Sequence, residues 1–249
     1  MLSKMSALYP SPKLAFHPYL PEKLGYSRVL GVLQPELSRL LSAAKPYALM
    51  SRRNLTTLYR ESTRVLRDNI PGCFVEIGVH RGGSAAILAQ VLMDQPNRHL
   101  HLFDRWGDLP EPTEEDGYRA EEYRKDAIGG KLAKLREDPP LEATREVLEE
   151  IIEFPKDRLH YHAGWYSETL PEYSGGPIAL ASVDCDYYEA VKLSLAFLDR
   201  YASPGATIIA DDYTAWPGTK KAVHEWIEVT NRKVHLHRVP TGPAVLHLS

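Results

Sequence analysis

The chain has 249 residues, 43% of them hydrophobic, and a formal net charge of −3; that suffices for one well-cored α/β domain with appendages but not for two. No basic run exceeds two residues, which argues against a nucleic-acid partner. No apolar stretch approaches the ~20 residues of a membrane helix, and Pro10, Pro12 and Pro18 break Met1 to Leu20, so neither a membrane span nor a signal-peptide core is expected.

A cytoplasmic protein follows as the expectation, with Cys73 and Cys185 as reduced thiols of buried strands. Residues 1–45 read as an arm rich in proline and tyrosine, packed on the domain or on a second subunit. Its amphipathic piece, Pro35 to Ala44, carries Leu37, Leu40, Leu41 and Ala44 at helical spacing. Residues 46–249 read as a single domain. A helix is predicted from Ser51 to Asn69, capped by Ser51 or Asn54 and stopped at Pro71; covering the sheet is the simpler reading, and forming a wall of a cofactor site the functional one.

From Cys73 to Ser84 the order is strand, glycine turn and helix start, with the helix continuing over Ala85 to Met93. That arrangement puts backbone N–H groups and a helix dipole end where a nucleotide or carboxylate can sit. The spacing is not Gly-x-Gly-x-x-Gly, which disfavours a nicotinamide-dependent oxidoreductase. The next strand, His99 to Phe103, ends in Asp104, placed where a ribose diol would be hydrogen-bonded. Gly107 to Asp157 is the most polar part, with a helical run from Leu141 to Ile152. It is either a solvated insertion or, from its place after Asp104, a lid over the carboxyl edge of the sheet. The strand Leu159 to His162 leads to Gly164-Trp165-Tyr166, where Trp165 reads equally as core or as a cover for an adenine.

Two further strands end in carboxylates. Ile178 to Val183 runs into Asp184-Cys185-Asp186, a helix spans Tyr187 to Tyr201, and after a Ser203-Pro204-Gly205 turn Thr207 to Ala210 runs into Asp211-Asp212. A helical crossover makes the two strands parallel, so both acidic ends emerge on one edge of the sheet. Converging carboxylates repel unless a cation or a shared proton compensates, and all-oxygen ligands suit Mg²⁺, Mn²⁺ or Ca²⁺. Taken singly, such aspartates also serve as strand-end caps. A helix from Gly218 to Thr230, with an isolated His224, and a hairpin of Val234 to Val239 with Ala244 to Leu248 complete the chain.

Five stretches together resemble the macrocin O-methyltransferase family: Val75 to Gly83, Phe103-Asp104-Arg105 with Leu109-Pro110, Gly164-Trp165-Tyr166 with Thr169-Leu170-Pro171, Asp184 to Glu189, and Asp211-Asp212-Tyr213. The resemblance spans about Met50 to Trp226. It implies a class I methyltransferase, Rossmann-like α/β fold. Its sheet would be seven-stranded and mostly parallel, with helices on both faces, a C-terminal antiparallel hairpin and a lid-like insertion at about 107–157. It also implies S-adenosyl-L-methionine and Mg²⁺, and methylation of a sugar hydroxyl on a glycosylated natural product such as an antibiotic. A small-molecule glycoside would be the acceptor and a homo-oligomer the assembly; a non-sugar hydroxyl is the alternative acceptor. By the resemblance Met50, Glu76, Gly78, Arg81, Gly83, Ser84, Asp104, Gly164, Trp165 and Asp184 would bind the cofactor. Asp184, Asp211 and Asp212 would bind metal, and Asp184 or Asp186 would take the proton. Cys185 stands where the family usually has glycine, which would narrow the space beside the metal. Ala206 replaces a second glycine.

Overall fold

The computed structural model describes residues 34–107, 109–129 and 140–249. The expected arm lies outside them as far as Leu33. Its remaining piece is helix α1 (Pro35–Ala44), whose Leu37, Leu40, Leu41 and Ala44 are buried with Phe74 and Leu88 in one core. From Pro35 onward, therefore, this segment packs on its own domain.

The other helices are α2 (Arg52–Arg67), α3 (Gly83–Leu92), α4 (Tyr118–Gly129), α5 (Pro140–Arg145), α6 (Tyr166–Thr169), α7 (Tyr188–Tyr201) and α8 (Pro217–Val229). The strands are β1 (Cys73–Ile77), β2 (Leu100–Asp104), β3 (Leu159–Ala163), β4 (Ile178–Val183), β5 (Ala202–Ala210), β6 (Val234–Arg238) and β7 (Ala244–Leu248). Among the described residues these strands form one sheet in the order β3-β2-β1-β4-β5-β7-β6. The first five are parallel, and β7 runs antiparallel between β5 and β6.

Every residue of β1 and of β4 is buried, as a parallel sheet covered on both faces requires. Successive side chains alternate between two cores. Val75, Ile77, Ala181 and Val183 face α7 and α8. Phe74, Leu100, Leu102 and Ile209 face α1, α2 and α3. The predicted Ser203-Pro204-Gly205 turn is instead a bulge inside β5: Ile178 pairs with Ala202, and pairing resumes at Leu180 with Thr207. Gly205 takes φ +82° there, and Ser203 Oγ donates to the Pro71 carbonyl at 2.7 Å. The insertion holds α4 and, after α5, a π-turn at Glu146–Ile151 where one helix was expected. Among the described residues no helix is long and apolar enough to cross a membrane.

One contact brings the chemistry-bearing strand ends together. Gly78 follows β1 at φ +89°, and a Cβ on it would lie 1.9 Å from the Asp184 carbonyl oxygen. Only glycine permits that approach, which places the end of β1 against the end of β4.

Candidate functional site

A cavity of about 520 Å³ opens at the carboxyl edge of the sheet, where open α/β sheets place their ligands. The ends of β1, β2, β4 and β5 form its floor. Residues 47–54 form one wall, and Leu109 to Tyr123 with Trp216 the other.

On the floor, Asp184, Asp211 and Asp212 each present an oxygen within 4.8 Å of the others. Burial, with the neighbouring carboxylates, pushes Asp184 and Asp212 well above the usual carboxylate range. Asp211 rises to about 6, again through burial, against the lowering effect of a hydrogen bond from Asn54. Asp212 Oδ2 is buried with no hydrogen-bond partner among the described residues. The group thus has the charge, the donor chemistry and the orphaned oxygen that suit a hard divalent cation. Asp186 lines the same cavity outside that trio. It adopts φ +62°, held there by Thr219 Oγ1, which donates to its carbonyl at 2.6 Å, and by Trp216 Nε1–H, which donates to its Oδ1 at 3.1 Å. The Cys185 thiol turns into the core instead, 3.7 Å from Ser194 Oγ. Cys185 nonetheless lines the cavity between Asp184 and Asp186, as its place between them requires.

Of the residues expected to bind a cofactor, Met50, Gly78, Ser84, Asp104, Gly164, Trp165 and Asp184 line the cavity; Glu76, Arg81 and Gly83 do not. Glu76 is wholly buried on the α3 side of β1. Neither of its oxygens has a hydrogen-bond partner among the described residues. Burial drives its carboxyl up to about 8, which the Ser84 and Ser182 hydroxyls nearby oppose. Arg81 places its guanidinium 5.9 Å from the Tyr47 ring centroid. Gly83 permits packing: a Cβ there would stand 2.5 Å from the Ala48 Cβ.

Asp104 has a role that its position in the sequence did not announce. Its Oδ2 accepts from the N–H groups of Val79 (2.6 Å) and His80 (2.8 Å), and its Oδ1 from Trp106 N–H (2.6 Å). The turn N–H groups expected to face a ligand are thus bound by Asp104, which retains about one of its four lone-pair sites for a ribose hydroxyl. Trp165 is 41% exposed, which settles it as a rim residue, with the Arg105 guanidinium 4.1 Å from its ring centroid.

Sequence reasoning missed the parts that Asn54, Tyr123, Trp216 and Asp116 play at the site. Asn54 was considered only as a helix cap. Tyr123 and Trp216 meet at 5.3 Å, and Tyr187 approaches Trp216 edge-on at 6.3 Å, forming an aromatic wall assembled from three distant segments. Asp116, wholly buried, accepts from Tyr188 N–H at 2.6 Å and so caps α7 from the insertion. It also accepts from the Thr113 N–H and hydroxyl. The Thr-x-x-Asp spacing of a capping box was the available signal for Asp116; the others had none.

A family model described as Macrocin-O-methyltransferase (TylF) matches residues 39–243. A Streptomyces olivaceus protein, 8-demethyl-8-(2,3-dimethoxy-α-L-rhamnosyl)-tetracenomycin-C 4′-O-methyltransferase, is 33% identical over 164 residues, 65% of this chain and 60% of that protein. Demethyldecarbamoylnovobiocin O-methyltransferase of Streptomyces niveus is 29% identical over 167 residues, with the same coverage. The chain thus spans about 60% of the length of these two relatives. The solved structure of the O-methyltransferase NovP superposes with a TM-score of 0.64 at 25% identity, over 81% of each chain.

Proposed function

The chain belongs to the macrocin O-methyltransferase family, and from that premise we propose that it methylates a sugar hydroxyl of a glycosylated natural product. S-adenosyl-L-methionine is the donor, with Mg²⁺ held by Asp184, Asp211 and Asp212. The observation that carries this reading is the meeting of those three carboxylates within 4.8 Å on the cavity floor. The buried, unpartnered oxygen of Asp212 beside them supports it. The metal, when bound, supplies Lewis-acid polarisation of the acceptor hydroxyl.

S-adenosyl-L-methionine, when bound, would supply an electrophilic methyl group to the acceptor oxygen, with S-adenosyl-L-homocysteine and one proton as the by-products. Asp186 takes that proton, because it borders the cavity without belonging to the ligand trio, and the Trp216 indole steadies it. Met50, Gly78, Ser84, Asp104, Gly164 and Trp165 border the donor. Glu76 lies behind Ser84 as a buried carboxyl whose unpartnered oxygens suit the donor's ammonium group. Tyr123, Tyr187 and Trp216 offer ring faces and edges to the apolar side of a sugar. The tetracenomycin relative, named for its action on a rhamnosyl group, supports a sugar as acceptor.

The test is incubation of the purified protein with S-adenosylmethionine, Mg²⁺ and matched pairs of deoxysugar glycosides and their aglycones. Mass spectrometry should find one added methyl group on the sugar; methylation of the aglycones alone would refute the assignment.

A further inference from the structure

Resting on the reading that Asp184, Asp211 and Asp212 hold a divalent cation, we infer that Asn54 is a positioning residue of that centre, fixing the Asp211 carboxylate from the amino end of α2. Asn54 Nδ2–H donates to Asp211 Oδ1 at 2.8 Å, across 157 residues of chain. It is the one donor recorded to that carboxylate among the described residues, and Asp211 is only 7% exposed.

The amide is itself held. The Ser51 hydroxyl donates to Asn54 Oδ1 at 2.7 Å, and the same Ser51 oxygen accepts from Asn54 N–H at 3.1 Å as the cap of α2. With its carbonyl turned to Ser51, Asn54 presents its NH₂ group to Asp211. A flipped amide would set two acceptors against each other. The start of α2 is anchored in turn. The Arg53 guanidinium donates to the Pro240 carbonyl and, at 2.6 Å, to Thr241 Oγ1. Leu55, one residue on, is fully buried in the core.

The physical reason for such a device is repulsion. Three carboxylates crowded within 4.8 Å turn away from one another unless something holds them before a cation arrives. A neutral donor does this without adding charge. One fixed oxygen sets the plane of the carboxylate, and with it the direction of its remaining lone pairs. Partners of this kind, standing behind the ligands of a metal, typically contribute about 10–100-fold in affinity.

The test is calorimetric titration of Mn²⁺ and Mg²⁺ into chelator-stripped wild type and Asn54→Leu, which keeps the branched shape of the side chain and removes the donor. S-adenosylmethionine is titrated into the same samples. Metal affinity should fall about 10–100-fold with cofactor affinity unchanged, and the lost rate should return at saturating Mg²⁺ with kcat intact. Asn54→Ala, which favours the helix, answers the same question if the leucine variant does not fold. If wild type takes up no divalent cation, the metal reading falls and this inference with it. If wild type binds the metal and both variants bind it equally well, only the role of Asn54 is overturned. Equal losses of metal and cofactor affinity would likewise overturn it, assigning Asn54 to the fold.

Discussion

Replacing Asp104 with alanine removes the acceptor of three backbone N–H groups, and hydrogen bonds to a charged group contribute roughly 1.5–3 kcal/mol each. Asp104→Ala should therefore weaken S-adenosylmethionine binding and also lower the melting temperature, because the turn after β1 loses its tie. Calorimetry giving weaker binding with an unchanged Tm would show that the turn does not depend on this carboxylate. At the aspartates, charge and proton transfer separate by substitution. Asp212→Asn keeps the shape and one carbonyl oxygen, so metal affinity should fall and added Mg²⁺ should restore much of the rate. Asp186→Asn should lower kcat by about 10²–10⁴-fold, with no rescue by metal, since an amide cannot accept the proton. Full rescue of Asp186→Asn by Mg²⁺ would move the base to Asp184.

Two elements carry predictions of their own. The segment 109–129 is tied to the amino end of α7 by Asp116, which caps that helix at Tyr188, and by the Tyr187 hydroxyl, which donates to the Ala120 carbonyl at 3.2 Å. Asp116→Ala should raise the acceptor KM and speed proteolysis within residues 109–129 while leaving cofactor affinity unchanged. An unaltered KM would detach the insertion from acceptor binding. At the other end of the sheet, His99 just before β2, His101 in β2, and His160 and His162 in β3 stack together. His99 Nδ1 lies 2.8 Å from His160 Nε2, and His101 Nδ1 lies 3.1 Å from His162 Nε2. Burial, followed by the neighbouring imidazoles, depresses His101 to about 3 and His162 to about 4. With folded values below the unfolded value of about 6.5, the unfolded chain binds more protons at mildly acid pH. Stability is thus complete above about pH 6.5, falls as the pH drops, and levels off near the folded values. Linkage gives about 2 kcal/mol lost at pH 5 for His101 alone. Urea unfolding at several pH values should show the decline, and His101→Gln should flatten it; parallel pH profiles would contradict the account.

Across the whole molecule, what the sequence made legible follows from local pattern. The runs Val75-Glu76-Ile77, Leu180 to Val183 and Ile208 to Ala210 are apolar enough to be central strands, and a helical crossover forces the acidic ends of β4 and β5 to one edge. The convergence of Asp184, Asp186, Asp211 and Asp212 needed no more than that, whereas the choice of Asp184, Asp211 and Asp212 as a trio came from the family resemblance. Asn54 with Asp211, and Asp116 with Tyr188, lie 157 and 72 residues apart, and polar residues carry no period from which such pairing could be read. The bulge in β5 was hidden because Ser-Pro-Gly satisfies every local rule for a turn, whereas tertiary pairing with β4 continues on both sides of it. Glu76 shows the same limit: its strand position was legible, but its burial without a partner depends on how Ser84 and Ser182 come to surround it. The most direct test of metal-assisted sugar methylation is transfer of an isotopically labelled methyl group from S-adenosylmethionine to a deoxysugar glycoside, with Mg²⁺ and with excess EDTA. The account predicts label on a sugar oxygen with Mg²⁺ and no transfer in EDTA; transfer at full rate in EDTA, or label on the aglycone, would contradict it.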